Sequence, residues 1–388
     1  MRIGIEAQRI FRADKHGMDF VVLEVLHRLQ QEDDGNEYLV FVAPGPDRCL
    51  QSGRNMQVVE LKCPVYPLWE QWVLPRAVRR MHIDILHCTS NTAPLYSPAP
   101  LLLTLHDIIF LNTPKSKSKK MSRYQQLGWC YRRWNVPRIV ARCRHIITVS
   151  ETEQANILAY FPQLKGKLSV VHNGYSDCYR PLTDEETKPV TRKYLADEEY
   201  LLFLGNTDPR KNTEGVLRAY HAYLQRSKRA LKLVITGLKR EYVEELLGKM
   251  GIAYCTPDIV YTGYVPGKDL PALYNGAFAF LYPSLQEGFG IPVLESMACG
   301  TPVITSNCSS LPEVAGEGGV LVNPSDFNEI AEALLRLEND TEYYQAQSAY
   351  GLARVKRFSW QQTTEDYRKI YNEITTRLSR TEQSRIKS

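Results

Sequence analysis

Short runs of consecutive apolar residues recur along the chain, separated by stretches in which apolar positions return every three or four residues. In the first half the runs are RIGIEA (2–7), YLVFVA (38–43), ILHC (85–88), LLLTLHD (101–107), HIITVS (145–150) and LSVVHNG (168–174). Between them, DFVVLEVLHRLQQ (19–31) and ETEQANILAYF (151–161) carry helical spacing. Strands apolar on both faces, alternating with amphipathic helices, predict a parallel sheet covered on both sides. PLTDEETK (181–188) interrupts the pattern with polar residues after a proline and reads as a linker. The pattern then restarts with YLLFLGN, LKLVITG, IVYTG, FAFLYP, PVITSN and GGVLVNP. The expectation is an α/β chain of two doubly wound, Rossmann-like domains, over 1–180 and 189–360. WQQTTEDYRKIYNEITTRL (360–378) is helical, so that the C-terminal stretch, 361–388, is expected to return to the first domain.

Composition narrows the class. A chain of 388 residues suits two domains, each of roughly 150–200 residues. With 44% apolar and 23% charged residues, each half can bury a core. Nine cysteines without a CxxC pair fit a reducing compartment, and a cytoplasmic protein is expected. Met1 to Ala7 already reads as a strand, so no signal peptide is expected. No run reaches the ~20 apolar residues of a membrane span. Net charge is +5, which is modest, and no nucleic-acid recognition motif appears, which argues against nucleic acid as partner.

The chemistry collects at two strand ends of the second domain. FAFLYPS ends a strand, and IPVLESMACG reads as a short helix with Pro292 in its first turn and Gly300 at its stop. The turn between them carries Glu287, Gly288, Phe289 and Gly290, with Ile291 opening the helix. Glycines there let backbone approach a ligand, and the amides at a helix start attract an anion such as a diphosphate. Glu295, one turn in, is suited to a vicinal diol such as a ribose, and Glu287 to sugar hydroxyls on the other side. Each charge-assisted bond of this kind is worth about 1.5–3 kcal/mol. Alone, two glutamates at this spacing read as an exposed helix position and a solvated turn. A second loop, GNTDPRKN (205–212), changes that balance: Gly205 and Asn206 follow a strand, and Arg210 and Lys211 offer a planar fork and a point charge to phosphate oxygens.

Together these features resemble glycosyltransferase family 4, retaining enzymes that use nucleotide sugars and have the GT-B architecture of two Rossmann-like domains facing a central cleft. The resemblance covers nearly the full length. It implies that Glu287 contacts the transferred sugar, Glu295 the ribose, and Arg210 and Lys211 the donor diphosphate. HNGY (172–175) and TVSETEQANI (148–157) are similar to the family's interdomain segments. In TLHD (104–107), His106 matches the family's cleft-facing histidine near the donor sugar; without that match it reads first as a buried strand histidine bonded to backbone. The family's glycine-rich first loop is reduced here to HGMDF (16–20), where Gly17 leaves room for phosphate or acceptor. Tyr264 and Val265 stand where they wall the nucleotide base or continue the core.

The implied reaction moves a hexose from a nucleotide diphosphate sugar, GDP-mannose or a UDP-hexose, to a hydroxyl of a glycan or lipid-linked acceptor in polysaccharide biosynthesis. Family analogy favours same-face substitution. No D-x-D triplet occurs, so no metal is expected, and no cofactor beyond the nucleotide sugar itself. From 115 to 145, Lys and Arg interleave with Trp and Tyr, as in a peripheral contact with the inner face of the cell membrane or in a solvated amphipathic helix. A GT-B epimerase or hydrolase, or a non-catalytic sugar-binding protein, would share the donor features. A dinucleotide oxidoreductase would not, since no GxGxxG follows a predicted strand.

Overall fold

The computed structural model describes residues 1–13, 15, 17–112 and 123–386. Residues 115–122 of the basic–aromatic segment and His16 of the reduced glycine loop lie outside these. The chain divides into two compact units, Met1–Asn173 with Trp360–Ser388, and Gly174–Ser359.

The first unit holds β1 (Arg2–Glu6), β2 (Glu37–Val42), β3 (Met56–Glu60), β4 (Ile85–Cys88), β5 (Leu101–Thr104), β6 (His145–Thr148) and β7 (Leu168–Val170). Their order in the sheet is β3-β2-β1-β4-β5-β6-β7, paired in parallel. β4 and β5 are buried at every position, as strands covered by helices on both faces must be. β3 is absent from the apolar runs because it is an edge strand: MQVVE buries only Met56 fully. The final helix, Trp360–Ile386, belongs to this unit. Tyr371 Oη lies 2.8 Å from His87 Nδ1 in β4, and Thr363 donates to the His172 carbonyl (2.7 Å).

The second unit holds β8 (Tyr200–Leu204), β9 (Lys232–Thr236), β10 (Ile259–Gly263), β11 (Ala277–Tyr282), β12 (Val303–Ser306) and β13 (Val320–Val322), in the order β10-β9-β8-β11-β12-β13. The stretch expected as a linker is instead the start of a helix, Asp184–Thr191, in this unit. Thr183 and Glu186 form a reciprocal capping box: Glu186 N–H donates to Thr183 Oγ1, and Thr183 N–H to the Glu186 carboxylate. That cap starts a helix in a polar stretch with little apolar periodicity.

Strand order reverses at β1/β4 in one sheet and at β8/β11 in the other. At such a point the connections leave toward opposite faces, and the carboxyl ends of the two strands border an open crevice. In the second unit, the loops expected to carry the chemistry follow these two strands. Among the described residues no helix is long and apolar enough to cross a membrane. The nine cysteines all carry free thiols.

Gly205 continues the ladder after β8, its N–H donating to the Thr236 carbonyl (2.9 Å). A Cβ there would sit 2.6 Å from Leu238 Cδ1 and 2.8 Å from Ile235 Cγ2. Its demand is thus close packing against β9. Gly205→Ala is expected to lower the urea midpoint of the second unit, at a cost of about 1–3 kcal/mol. A midpoint equal to the parent's would show that Leu238 yields freely.

Candidate active site

The loop after β8 is shaped by short-range polar contacts. Asn206 Oδ1 accepts from Asp208 N–H (2.8 Å), and Asp208 accepts from Arg210 N–H (3.0 Å), which winds Pro209–Lys211 into one 3₁₀ turn. Asn212 follows in the left-handed region (φ 60°), tolerable for asparagine. Its side chain donates to the carbonyls of Pro283 (3.0 Å) and Pro324 (2.7 Å), fastening this loop to the one after β11. Arg210 forks onto Asp208, with Nη2 2.7 Å and Nε 3.0 Å from Oδ2.

Lys211 reaches the second loop. Its Nζ lies 2.6 Å from Glu287 Oε1 and 2.8 Å from Tyr282 Oη, and Tyr282 donates to the same Glu287 oxygen (2.9 Å). The three groups close a triangle in which ammonium, hydroxyl and carboxylate satisfy one another. Side-chain exposure is 23% for Lys211 and 12% for Glu287, so water screens the pair less than it would a surface bridge. Burial, then the Glu287 charge, pushes the Tyr282 hydroxyl well above its usual range and keeps it protonated.

The turn carrying Glu287 is held from behind by the segment after β12. Glu287 N–H donates to Ser309 Oγ (3.0 Å), and Ser310 Oγ reaches the carbonyls of Glu287 (3.0 Å) and Phe289 (2.7 Å). Phe289 itself is buried, its ring 5.9 Å from Phe358. Two rings leave water by packing together, so the part of Phe289 that remains at the turn is its backbone. Gly290 has φ 126°, and a Cβ there would meet Leu311 Cδ2 at 2.8 Å. It caps the helix Ile291–Ala298, with Ile291 half-buried at the start.

Glu295 is half-buried in that helix and accepts from Tyr274 Oη (3.0 Å) and from Tyr179. Burial pushes its pKa up to about 7, against the pull of the two hydroxyls. Tyr282 feels the charge of both Glu287 and Glu295. Tyr264 is 82% exposed, so continuation of the core does not describe it, whereas Val265 is buried.

In the first unit, His106 follows β5 and is buried. Its backbone N–H donates to Asn91 Oδ1 (2.6 Å), and Nε2 lies 3.0 Å from the Thr89 carbonyl. Burial lowers its pKa, so the ring is neutral; a nitrogen facing a carbonyl must carry the proton, which makes Nδ1 the acceptor. The backbone bond that a strand-end histidine suggests by itself is present, and it leaves Nδ1 and the carbonyl of His106 outside that bond. Gly17 begins the helix Gly17–Gln31, and a Cβ at this position would meet nothing within 4 Å, so packing does not demand glycine there.

Sequence reasoning missed Tyr282, Tyr274, Tyr179, Ser309 and Ser310. Tyr282 ends an apolar run and reads as core; the two serines sit in SNCSS (306–310), whose only signal is polarity after a strand.

Residues 184–354 match the family described as glycosyl transferases group 1, and residues 16–177 match glycosyltransferase family 4. The chain is 34% identical to O-antigen chain mannosyltransferase B of Escherichia coli, over 80% of this chain and 79% of that protein. It is 28% identical to O-antigen chain mannosyltransferase RfbU of Salmonella typhimurium, over 71% and 70% respectively. Among solved structures, Anabaena HepE in complex with UDP and glucose superposes with a TM-score of 0.71 at 18% identity, covering 96% of this chain and 99% of that one.

The Glu295 carboxyl gives a pH dependence with a definite sign. Folded it titrates near 7, and unfolded near 4.5, so between those values the folded state holds more proton. Stability therefore falls as pH rises through that window. Glu295→Gln removes this component. In urea unfolding the variant is expected to gain on the parent at about pH 8 relative to about pH 4. Glu6 and Glu153, also raised by burial to about 7, leave a residual slope in both proteins. A stability difference independent of pH would refute the raised value.

Proposed function

The chain belongs to glycosyltransferase family 4, and from that premise we propose that it moves a mannosyl residue from GDP-mannose to a hydroxyl of a growing glycan or lipid-linked acceptor in polysaccharide biosynthesis. It has the GT-B fold. The mannosyltransferase names of its relatives support the sugar, and the O-antigen they build supports a surface polysaccharide as product. The observation that carries the reading is the Lys211–Tyr282–Glu287 triangle at the strand-order reversal, where an anionic ligand finds a cation and hydroxyl acceptors side by side.

Lysine has three N–H donors, and the triangle uses two. The third is directed to a phosphate oxygen of the donor, with Arg210 and the amides of 288–290 beside it. Negative charge grows on the diphosphate as its bond to the sugar C1 breaks, and these groups stabilise it without reorganising. The acceptor oxygen joins C1 on the face that the diphosphate leaves, and its proton passes to a departing phosphate oxygen. Glu287 orients the transferred sugar through its hydroxyls, Glu295 holds the ribose diol, and Tyr264 and Val265 border the base. His106 enters the same reading as a contact of the transferred sugar, through Nδ1 or its own carbonyl. Peripheral contact with a membrane belongs to the same reading, supported by aromatic and basic side chains exposed together on the helix Arg123–Ile139.

Glu287→Ala is expected to lower kcat/KM for transfer about 10- to 150-fold, the loss of one charge-assisted bond. Turnover equal to the parent's with GDP-mannose would remove Glu287 from the site. Arg210→Ala combined with Lys211→Ala is expected to abolish GDP binding in calorimetry. Parent-like affinity for both GDP and UDP would refute the diphosphate clamp, and a thermal shift with NAD alone would replace the proposed activity with an oxidoreductase.

A further inference from the structure

We infer, resting on the donor site proposed above, that Tyr282 is a positioning residue for the donor sugar: it pins one oxygen of Glu287, so that the other, Oε2, is the oxygen offered to sugar hydroxyls.

Packing alone does not require the Tyr282 hydroxyl. The residue ends β11 two positions after Phe280, on the same face of the strand, and the two rings stack at 5.6 Å. A phenylalanine would fill that place. Tyr282 is only 4% exposed, so its hydroxyl leaves water on folding and needs partners inside. It accepts from Lys211 Nζ (2.8 Å) and donates to Glu287 Oε1 (2.9 Å). Burial first, then the charge of Glu287, keeps the phenol protonated, which fixes the direction of that second bond. A hydroxyl so committed has no proton left for a ligand. It acts on the site through Lys211 and Glu287.

Glu287 is held at both ends. On the main chain, its N–H donates to Ser309 Oγ (3.0 Å), and Ser309 Oγ and Ser310 Oγ lie 2.7 and 3.0 Å from its carbonyl oxygen. On the side chain, Oε1 takes both Lys211 Nζ (2.6 Å) and the Tyr282 hydroxyl. Among the described residues no hydrogen bond reaches Oε2, and that oxygen stays open to solvent.

Lysine and glutamate alone would not fix Oε2. An ammonium rides on a flexible four-carbon stem, and a carboxylate turns easily about its last bond. The phenol is the rigid third corner, its ring centre also 5.0 Å from Lys211 Nζ. With Oε1 pinned there, the carboxylate cannot turn, and Oε2 faces one way. Its negative charge accepts hydroxyl donors and repels phosphate. Sugar and diphosphate are thereby sorted to opposite ends of one ion pair, the sugar to Oε2 and the phosphate to Lys211.

Tyr282→Phe keeps the ring and removes the hydroxyl, and two probes separate positioning from packing. In calorimetry the variant is expected to bind GDP-mannose about tenfold more weakly than the parent does, close to the worth of one hydrogen bond to a charged group. GDP, which has no sugar, is expected to bind within about twofold of the parent, because Lys211 keeps its bond to Glu287 and a free N–H. Ser309→Ala loosens the same glutamate from its main-chain side and is expected to give the same pattern, so that the outcome does not depend on one variant folding. Equal weakening of GDP and GDP-mannose makes the hydroxyl a packing group and overturns the inference. Unchanged affinity for GDP-mannose in both variants also overturns it, and leaves the donor site standing. A parent that binds neither GDP nor GDP-mannose removes the proposed donor and this role with it.

Discussion

A parallel sheet cannot close over the carboxyl ends of two neighbouring strands whose connections leave toward opposite faces. In the second unit that constraint falls between β8 and β11, and it puts an RK pair and an EGFG turn side by side although 76 positions separate Lys211 from Glu287. Asn212 makes the juxtaposition rigid, because its amide bonds two carbonyls of the facing loops. The serines after β12 fasten the turn from a third loop. In the first unit the reversal falls between β1 and β4, and the buried Glu6, Thr89 and Asn91 gather at those strand ends.

The two glutamates illustrate how environment gives one residue type two electrostatic states. Glu287 has a cation and a hydroxyl on one oxygen, so its charge is compensated inside the fold. Glu295 has tyrosine hydroxyls alone, and burial raises its carboxyl to about 7. A carboxylate anchored to lysine has its charge and its direction fixed by that partner. One held by hydroxyls is bonded by neutral donors only, and burial decides its protonation.

Arginine is divided in the same way. Arg210 is held in one direction by Asp208. Arg76, Arg79 and Arg138 lie over aromatic rings at the surface, held by the ring faces and not by a carboxylate.

Much of this was legible along the chain. Runs such as LLLT and YLLFL are strands because nothing but a two-sided sheet buries so many consecutive apolar side chains, and the spacing from Glu287 to Glu295 places a turn ahead of a helix by local geometry. The half-exposed MQVVE escapes such reading because an edge strand needs no apolar run, and the helix at Asp184–Thr191 escapes it because a capping box outweighs weak periodicity. Phe289 turns into the core only because Phe358 waits there, and Tyr282 turns from core residue to partner of a lysine only because β8 lies beside β11. Periodicity and capping act within a few residues, so they can be read in order. A side chain's partner is set by whichever distant segment the sheet brings against it, and for Tyr282 that segment lies 71 positions away.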